Sequence, residues 1–359
     1  MIVLDQLLSR FVEIAPQHQY HVLASESLPA VLDRHPQILY HRFNWTDASY
    51  WRTALWQSLV LSRWCAREHV DVLFSQLCYL PLFRPRRTVL LLQDAKFFYD
   101  SRALSDRLSL AERVTLWMKK RWCYHSVAGA NRILVQSDTM ARSVAEKVPS
   151  ARSRITMVPH GPGFLDGPHG VRYRTLASDS LEIAYVAFYQ KYKNFEVLLR
   201  ALRILQGEGV PVRLHLTLDL VEDPGARTVM SYARNIGVEH SIVNHGELEP
   251  EGVAQVYQSV HVFVFPSVCE SFGLPQVEAM AFGLPILAAD TAVNREVCGL
   301  AANYFAADDD CLLAAQLKCL YLNPAELAAL SKRSARRGRD FDWTSAAKQT
   351  LECLVDANH

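Results

Sequence analysis

The chain has 359 residues, half of them hydrophobic and 21% charged, which is enough for two domains that each bury a core and excludes a disordered or fibrous class. Its net charge of +1 hides an asymmetry, because residues 1–160 hold 21 Lys and Arg against 13 Asp and Glu while the remainder holds 17 against 24. The imbalance is modest and comes without basic strands interleaved with aromatics, so it sets nucleic-acid binding aside and leaves an anionic membrane surface or a phosphate-bearing acceptor as partners for the front half.

No run approaches the roughly 20 apolar residues of a membrane span and no charged-then-apolar leader opens the sequence, which predicts a cytoplasmic protein. Eight scattered cysteines, none in a C-x-x-C pair, suggest neither a zinc site nor a disulfide framework. They are expected to be reduced and mostly buried.

Residues 1–14 carry apolar positions at helical spacing and predict a helix. Strand-like runs follow at 20–25, 70–76, 87–94 and 131–137, separated by helical or mixed segments; such alternation predicts a parallel sheet covered on both faces. Residues 110–127 combine Trp117, Trp122 and Tyr124 with Lys119, Lys120 and Arg121, a mixture found in helices at membrane interfaces and equally in a surface helix that packs its tryptophans on a sheet. Glycine and proline crowd 159–168, marking an interdomain linker.

The second half opens with a strand ending at Val186, a loop, and a helix from about Asn194, with further strand signals at 212–218 and 240–248. Asp308, Asp309 and Asp310 read as a charged loop after Tyr304 and Phe305, and Asp342 as the cap of a last helix at about 343–356. Neither acidic group predicts a metal.

The most informative stretch is 261–290. His261 to Phe265 is an aromatic and β-branched run stopped by Pro266, as in a buried strand. Pro275 opens a helix whose apolar positions Val277, Met280 and Ala281 recur at helical spacing, Gly283 closes it, and 285–289 reads as the next strand. Free N–H groups of Phe272, Gly273 and Leu274 would converge at the helix start and favour an anion. Glu270 and Glu278 flank that cradle; carboxylates repel phosphate and accept from neutral hydroxyls, so a ligand carrying a diphosphate and several hydroxyls satisfies the site. With Pro275 as first helical residue, Glu278 lies one position beyond a capping box.

Glu270 through Glu278, with Phe272-Gly273-Leu274-Pro275 between them, Ala279-Met280-Ala281 and Gly283-Leu284-Pro285 after, resembles the signature of retaining GT-B glycosyltransferases, glycosyltransferase family 4 (group 1). The resemblance implies an α/β fold of two facing doubly wound Rossmann-like domains: an acceptor-side domain at 1–162, a nucleotide-sugar donor domain at 176–340, and a helix at 341–359 returning to the first. It implies hexose transfer from a nucleotide diphosphate sugar to a carbohydrate or lipid-linked acceptor hydroxyl with retention, in cell-surface polysaccharide or glycolipid synthesis, without a cofactor or metal.

By the same resemblance Glu270 contacts the donor sugar, Phe272, Gly273 and Leu274 hold the diphosphate with Ser271 as a further donor-binding residue, Glu278 binds the ribose, and Gly246 stands where the base is received. Lys193 and Asn194 match the family's diphosphate lysine and its neighbour, but Ala187-Phe188 replace the Gly-Arg before them. Gln93-Asp94 stand where the family often has His-Asp; Gln93 is then either a sugar contact or a plain strand end, and it cannot carry a proton as histidine does. The helix-like 1–14 stands where the family has a first strand and glycine-rich turn, so the first domain is expected to lack both. A nucleotide-sugar epimerase or a phosphorylase on the same architecture, or a non-catalytic relative, are the rival readings.

Overall fold

The computed structural model describes residues 2–25, 35–43, 56–99, 110–163 and 180–356. The chain divides into two compact units, one made of 1–160 with 342–359 and the other of 161–341. Residues 164–168 of the expected linker, 176–179 at the expected start of the donor domain, and 357–359 lie outside the described residues.

The first unit runs α1 (Ile2–Ile14), β1 (Tyr20–Ser25), β2 (Ile38–Phe43), α2 (Ser62–Arg67), β3 (Leu73–Ser75), β4 (Thr88–Leu91), α3 (Leu110–Gly129), β5 (Arg132–Val135), α4 (Asp138–Lys147) and β6 (Ile155–Met157). Strands β3-β4-β5-β6 form a parallel sheet in that order. All of β4 is buried, as expected of an apolar strand covered on both faces.

Two features depart from the sequence reading. Strand β1 is parallel, as expected, but among the described residues it hydrogen-bonds only to β2, in a two-stranded sheet apart from the other four strands. Along α3, Trp122 donates Nε1–H to the Leu80 carbonyl at 2.9 Å and Tyr124 its hydroxyl to the Phe97 carbonyl at 2.8 Å, so both are tied inward. Trp117 is exposed instead, with Val114 one turn and Leu110 two turns away on the same face.

The second unit runs β7 (Leu181–Tyr185), α5 (Phe195–Gly207), β8 (Val212–Leu216), α6 (Pro224–Asn235), β9 (Ile242–Asn244), α7 (Pro250–Ser259), β10 (Val262–Phe265), α8 (Leu274–Ala281), β11 (Ile286–Ala289), α9 (Ala292–Cys298), β12 (Ala302–Phe305), α10 (Asp310–Leu322) and α11 (Pro324–Gly338). Its strands are all parallel in the order β12-β11-β10-β7-β8-β9. Counted from β7 as the first, this is the doubly wound order 3-2-1-4-5-6. Its switch point lies between β7 and β10, so the loops after these two strands leave the carboxyl edge side by side, where open α/β sheets bind ligands.

The final helix, α12 (Trp343–Asp356), belongs to the first unit, where Trp343, Ala346, Ala347 and Leu351 share a buried cluster with Val3, Leu7, Leu8 and Phe11 of α1. Asp342 caps it, accepting from the Ser345 N–H at 2.7 Å. Asp309 and Asp310 are not a plain loop: the Asp309 carboxylate accepts from the Leu312 N–H at 2.8 Å to cap α10, and Asp310 opens that helix. All eight cysteines are free thiols, six buried and two, Cys311 and Cys319, exposed. Among the described residues no helix is long and apolar enough to cross a membrane, and no three His, Cys, Asp or Glu side chains gather as metal ligands.

Candidate active site

The loop after β7 folds into a single 3-10 turn over Lys191–Lys193 and ends at Asn194, whose left-handed backbone (φ +55°) redirects the chain into α5. The Asn194 amide Nδ2 donates to the Ala307 carbonyl at 2.6 Å, and the buried Tyr185 hydroxyl donates to the Lys193 carbonyl at 3.0 Å. These bonds hold the backbone of Lys193 from both sides. Its side chain is 8% exposed, and Nζ donates to Glu270 Oε1 at 2.6 Å. The Ser267 hydroxyl donates to the same oxygen, also at 2.6 Å. Rings of Phe188 and Tyr192 stand 5.4 and 5.5 Å from the ammonium, with Phe265 at 6.0 Å, so the cation sits in an aromatic slot with one carboxylate as counter-ion.

On the neighbouring loop, Gly273 precedes α8 with φ +83°, and a Cβ there would fall 2.3 Å from Gln276 Nε2 and 3.1 Å from the Phe265 ring. Only glycine fits. Phe272 is buried with its ring edge-on to Phe341, and Ser271 is half-buried beside it. Among the described residues nothing accepts the N–H of Gly273 or Leu274, as an anion cradle at a helix start requires. The helix begins at Leu274, so Pro275 is its second residue rather than its first. Gln276 therefore takes the third position, and Glu278 lies two residues past a capping box rather than one.

Glu278 is wholly enclosed. Tyr257 of α7 donates its hydroxyl to Oε2 at 3.1 Å and the Gly163 backbone bonds the carboxyl, yet burial outweighs both and pushes the group from its ordinary 4.5 up to about 7. The structure thus brings Lys193 and Glu270 into contact and places Ser271 to Leu274 on the same loop as Glu270, with Glu278 buried on α8. Gly246 lies just past β9 with φ +74° and open space around it, and Gln93 lies two residues beyond β4 in the other unit. Sequence reasoning missed Ser267 and Tyr257. Ser267 had a signal, a hydroxyl three residues before Glu270 in the same loop; Tyr257, on another helix, had none.

Phe188 is 64% exposed three residues past β7, so a cation there would cost little packing. If residue 188 faces a diphosphate held at the Gly273 turn, Phe188→Arg is expected to tighten nucleoside diphosphate binding about tenfold, roughly 1.4 kcal/mol, by adding a second positive charge. Calorimetric titration of both proteins checks this, and an unchanged affinity would place residue 188 away from the phosphates.

Residues 174–337 match the family described as glycosyl transferases, group 1. This stretch contains both loops and all three groups just described, Lys193, Glu270 and Glu278. Residues 174–337 thus resemble a group 1 glycosyl transferase domain. The chain is 30% identical over 244 residues to a D-inositol 3-phosphate glycosyltransferase of Thermobispora bispora, covering 64% of this chain and 56% of that protein. It therefore spans only a little over half the length of that relative. With the same-named protein of Streptomyces avermitilis it shares 26% identity over 365 residues, 98% of this chain and 74% of the other. Among solved structures it resembles sucrose-phosphate synthase from Thermosynechococcus elongatus, with a TM-score of 0.77 at 16% identity, covering 98% and 91% of the two chains. Its α/β fold, two units on parallel sheets, is of the GT-B class.

Proposed function

We propose that this protein is a retaining glycosyltransferase that moves a hexose from a nucleotide diphosphate sugar to an acceptor hydroxyl. The observation that carries this reading is the Lys193–Glu270–Ser267 cluster beside the glycine turn at Gly273, because it sets one cation and one hydroxyl acceptor next to free N–H groups. In the proposed reaction the diphosphate takes Lys193 Nζ and the turn amides, which stabilise the charge that grows on the leaving phosphate. Glu270, released from Lys193, accepts from hydroxyls of the sugar and holds it in line, and Glu278 accepts from ribose hydroxyls. No metal enters this scheme.

A panel of UDP-, GDP- and ADP-hexoses tests the reading, with nucleoside diphosphate release as the signal. The names of the two relatives add D-inositol 3-phosphate to the sugar and lipid-linked acceptors worth trying. An α-configured product from an α-configured donor, read by NMR, is expected. Failure of every donor to bind or turn over favours the rival reading, a non-catalytic relative, for which the aromatic Phe188 speaks.

We further propose that α3 meets an anionic membrane. Leu110, Val114 and Trp117 line one exposed face, and Arg113, Lys119, Lys120 and Arg121 are spread along the same helix. Sedimentation with acidic vesicles is expected to fall steeply as salt rises past physiological strength, where screening sets in beyond about 8 Å. Replacing Lys119, Lys120 and Arg121 together should abolish it. Salt-independent sedimentation, or none, would make α3 an ordinary surface helix.

A further inference from the structure

Beneath the glycine turn lies a connected group of polar side chains with no exposure to solvent, on residues to which the proposed chemistry gives no role. Gln276 and Asn294 are both fully buried. Asn294 Nδ2 donates to the Ala289 carbonyl at 2.9 Å, at the end of β11, and reaches the Ser267 carbonyl at 3.4 Å in the loop after β10. Its Oδ1 accepts from Gln276 Nε2 at 3.2 Å. The same Gln276 nitrogen donates to the Phe272 carbonyl at 3.1 Å, and Gln276 Oε1 accepts from the Cys298 thiol at 3.0 Å. Burial pushes that thiol up to about 12, which keeps it a donor.

A buried amide is costly unless its bonds are made. Here both amides are engaged at nitrogen and at oxygen, and they spend those bonds on two carbonyls of one loop: Ser267, whose own hydroxyl holds Glu270, and Phe272, immediately before Gly273. Leucine in either position would fill a similar volume in so apolar a surrounding. The polar choice instead ties both ends of the loop to α9, and a Cβ on Gly273 would strike Gln276 Nε2.

We infer that Gln276 and Asn294 are positioning residues for the donor site, Gln276 setting the N–H groups of the glycine turn through Phe272 and Asn294 setting Glu270 through Ser267. This rests on the donor-site reading above and adds a division of labour to it. Gln276 governs how the diphosphate is held, and Asn294 governs how the sugar is held while it is transferred.

The test compares Gln276→Leu and Asn294→Leu with Leu202→Ala, a buried substitution on α5, more than 60 residues along the chain from the 266–273 loop, which serves as a control for lost stability. All are measured well below their melting temperatures. Gln276→Leu is expected to weaken binding of whichever of UDP, GDP or ADP the wild type takes by at least about tenfold. Asn294→Leu is expected to leave that affinity within about threefold and to lower kcat for donor hydrolysis at least about tenfold. Amide hydrogen exchange gives a readout independent of any ligand: Gln276→Leu should speed exchange within 270–274 and not elsewhere, while Leu202→Ala should leave that loop unchanged. If the two leucine variants behave alike and like Leu202→Ala, the positioning role is wrong. Should the wild type bind no nucleotide, the donor reading fails, and loop exchange alone still decides whether Gln276 holds the turn. If Asn294→Leu does not fold, Asn294→Ser takes its place with the same expected loss of kcat.

Discussion

Glu278→Gln is expected to be more stable than the wild type by about 3 kcal/mol at pH 8 and nearly equal to it at pH 4.5. The native carboxyl titrates at about 7 and the unfolded one at its ordinary 4.5, because Glu278 is enclosed and the bonds from Tyr257 and Gly163 only partly offset the loss of hydration. Between these values the native state holds a proton that the unfolded state has released. Unfolding then releases a proton, so stability falls as pH rises from 4.5 and the loss is complete above 7. The glutamine variant has no such slope. For a unit of this size the difference corresponds to roughly 6–12 °C in melting temperature at pH 8, closing toward acid pH. Paired thermal scans from pH 4.5 to 8 check it, and parallel curves across that range would mean that Glu278 is ionised in the native state throughout. A group held at such a cost to stability is what a binding role predicts, since ribose hydroxyls would add hydrogen bonds to those from Tyr257 and Gly163.

Lys193→Ala is expected to lower turnover by at least about tenfold and on the order of a hundredfold, because in the proposed reaction it removes a fixed cation from the place where leaving-group charge develops. Affinity for free nucleoside diphosphate should fall less, since the charge on the leaving phosphate is greatest in the transition state. Among the described residues the substitution also leaves Glu270 Oε1 with Ser267 alone, so some stability is lost with it. Lys193→Arg should restore little: the slot between Phe188, Tyr192 and Phe265 admits a compact ammonium, and a planar guanidinium would have to displace a ring. Single-turnover kinetics separates the two effects. A variant with normal turnover and weakened folding would make the Lys193–Glu270 pair a purely structural contact.

Continuous apolar strands were the most legible part of the molecule. The runs 262–265 and 286–289 are buried on every residue, and in a parallel sheet that pattern follows directly from burial on both faces. Strand β2 escaped notice because Ile38 to Phe43 mixes His41 and Arg42 into a half-exposed alternation, which local pattern reads poorly. The start of α8 was displaced by one residue because proline fits the first and second helical positions alike, neither needing its N–H. At the site, the types and spacing of Lys193, Glu270 and Gly273 pointed to phosphate and hydroxyl chemistry before any geometry. What the sequence could not convey was how those groups are held. Tyr257 is 21 residues before Glu278, and Asn294 is 27 beyond Ser267, so only the packing of separate helices and loops brings them together. The balance between the burial that raises Glu278 and the bonds from Tyr257 and Gly163 that oppose it is likewise not written in any local stretch.

The most direct test of the donor-site account is a crystal structure with the nucleoside diphosphate that binds best in the donor panel. The β-phosphate is expected within hydrogen-bond distance of the Gly273 and Leu274 N–H groups and of Lys193 Nζ, with the contact from Lys193 to Glu270 broken and ribose hydroxyls on Glu278. Diphosphate density away from the Gly273 turn, with Lys193 still bonded to Glu270, would contradict it.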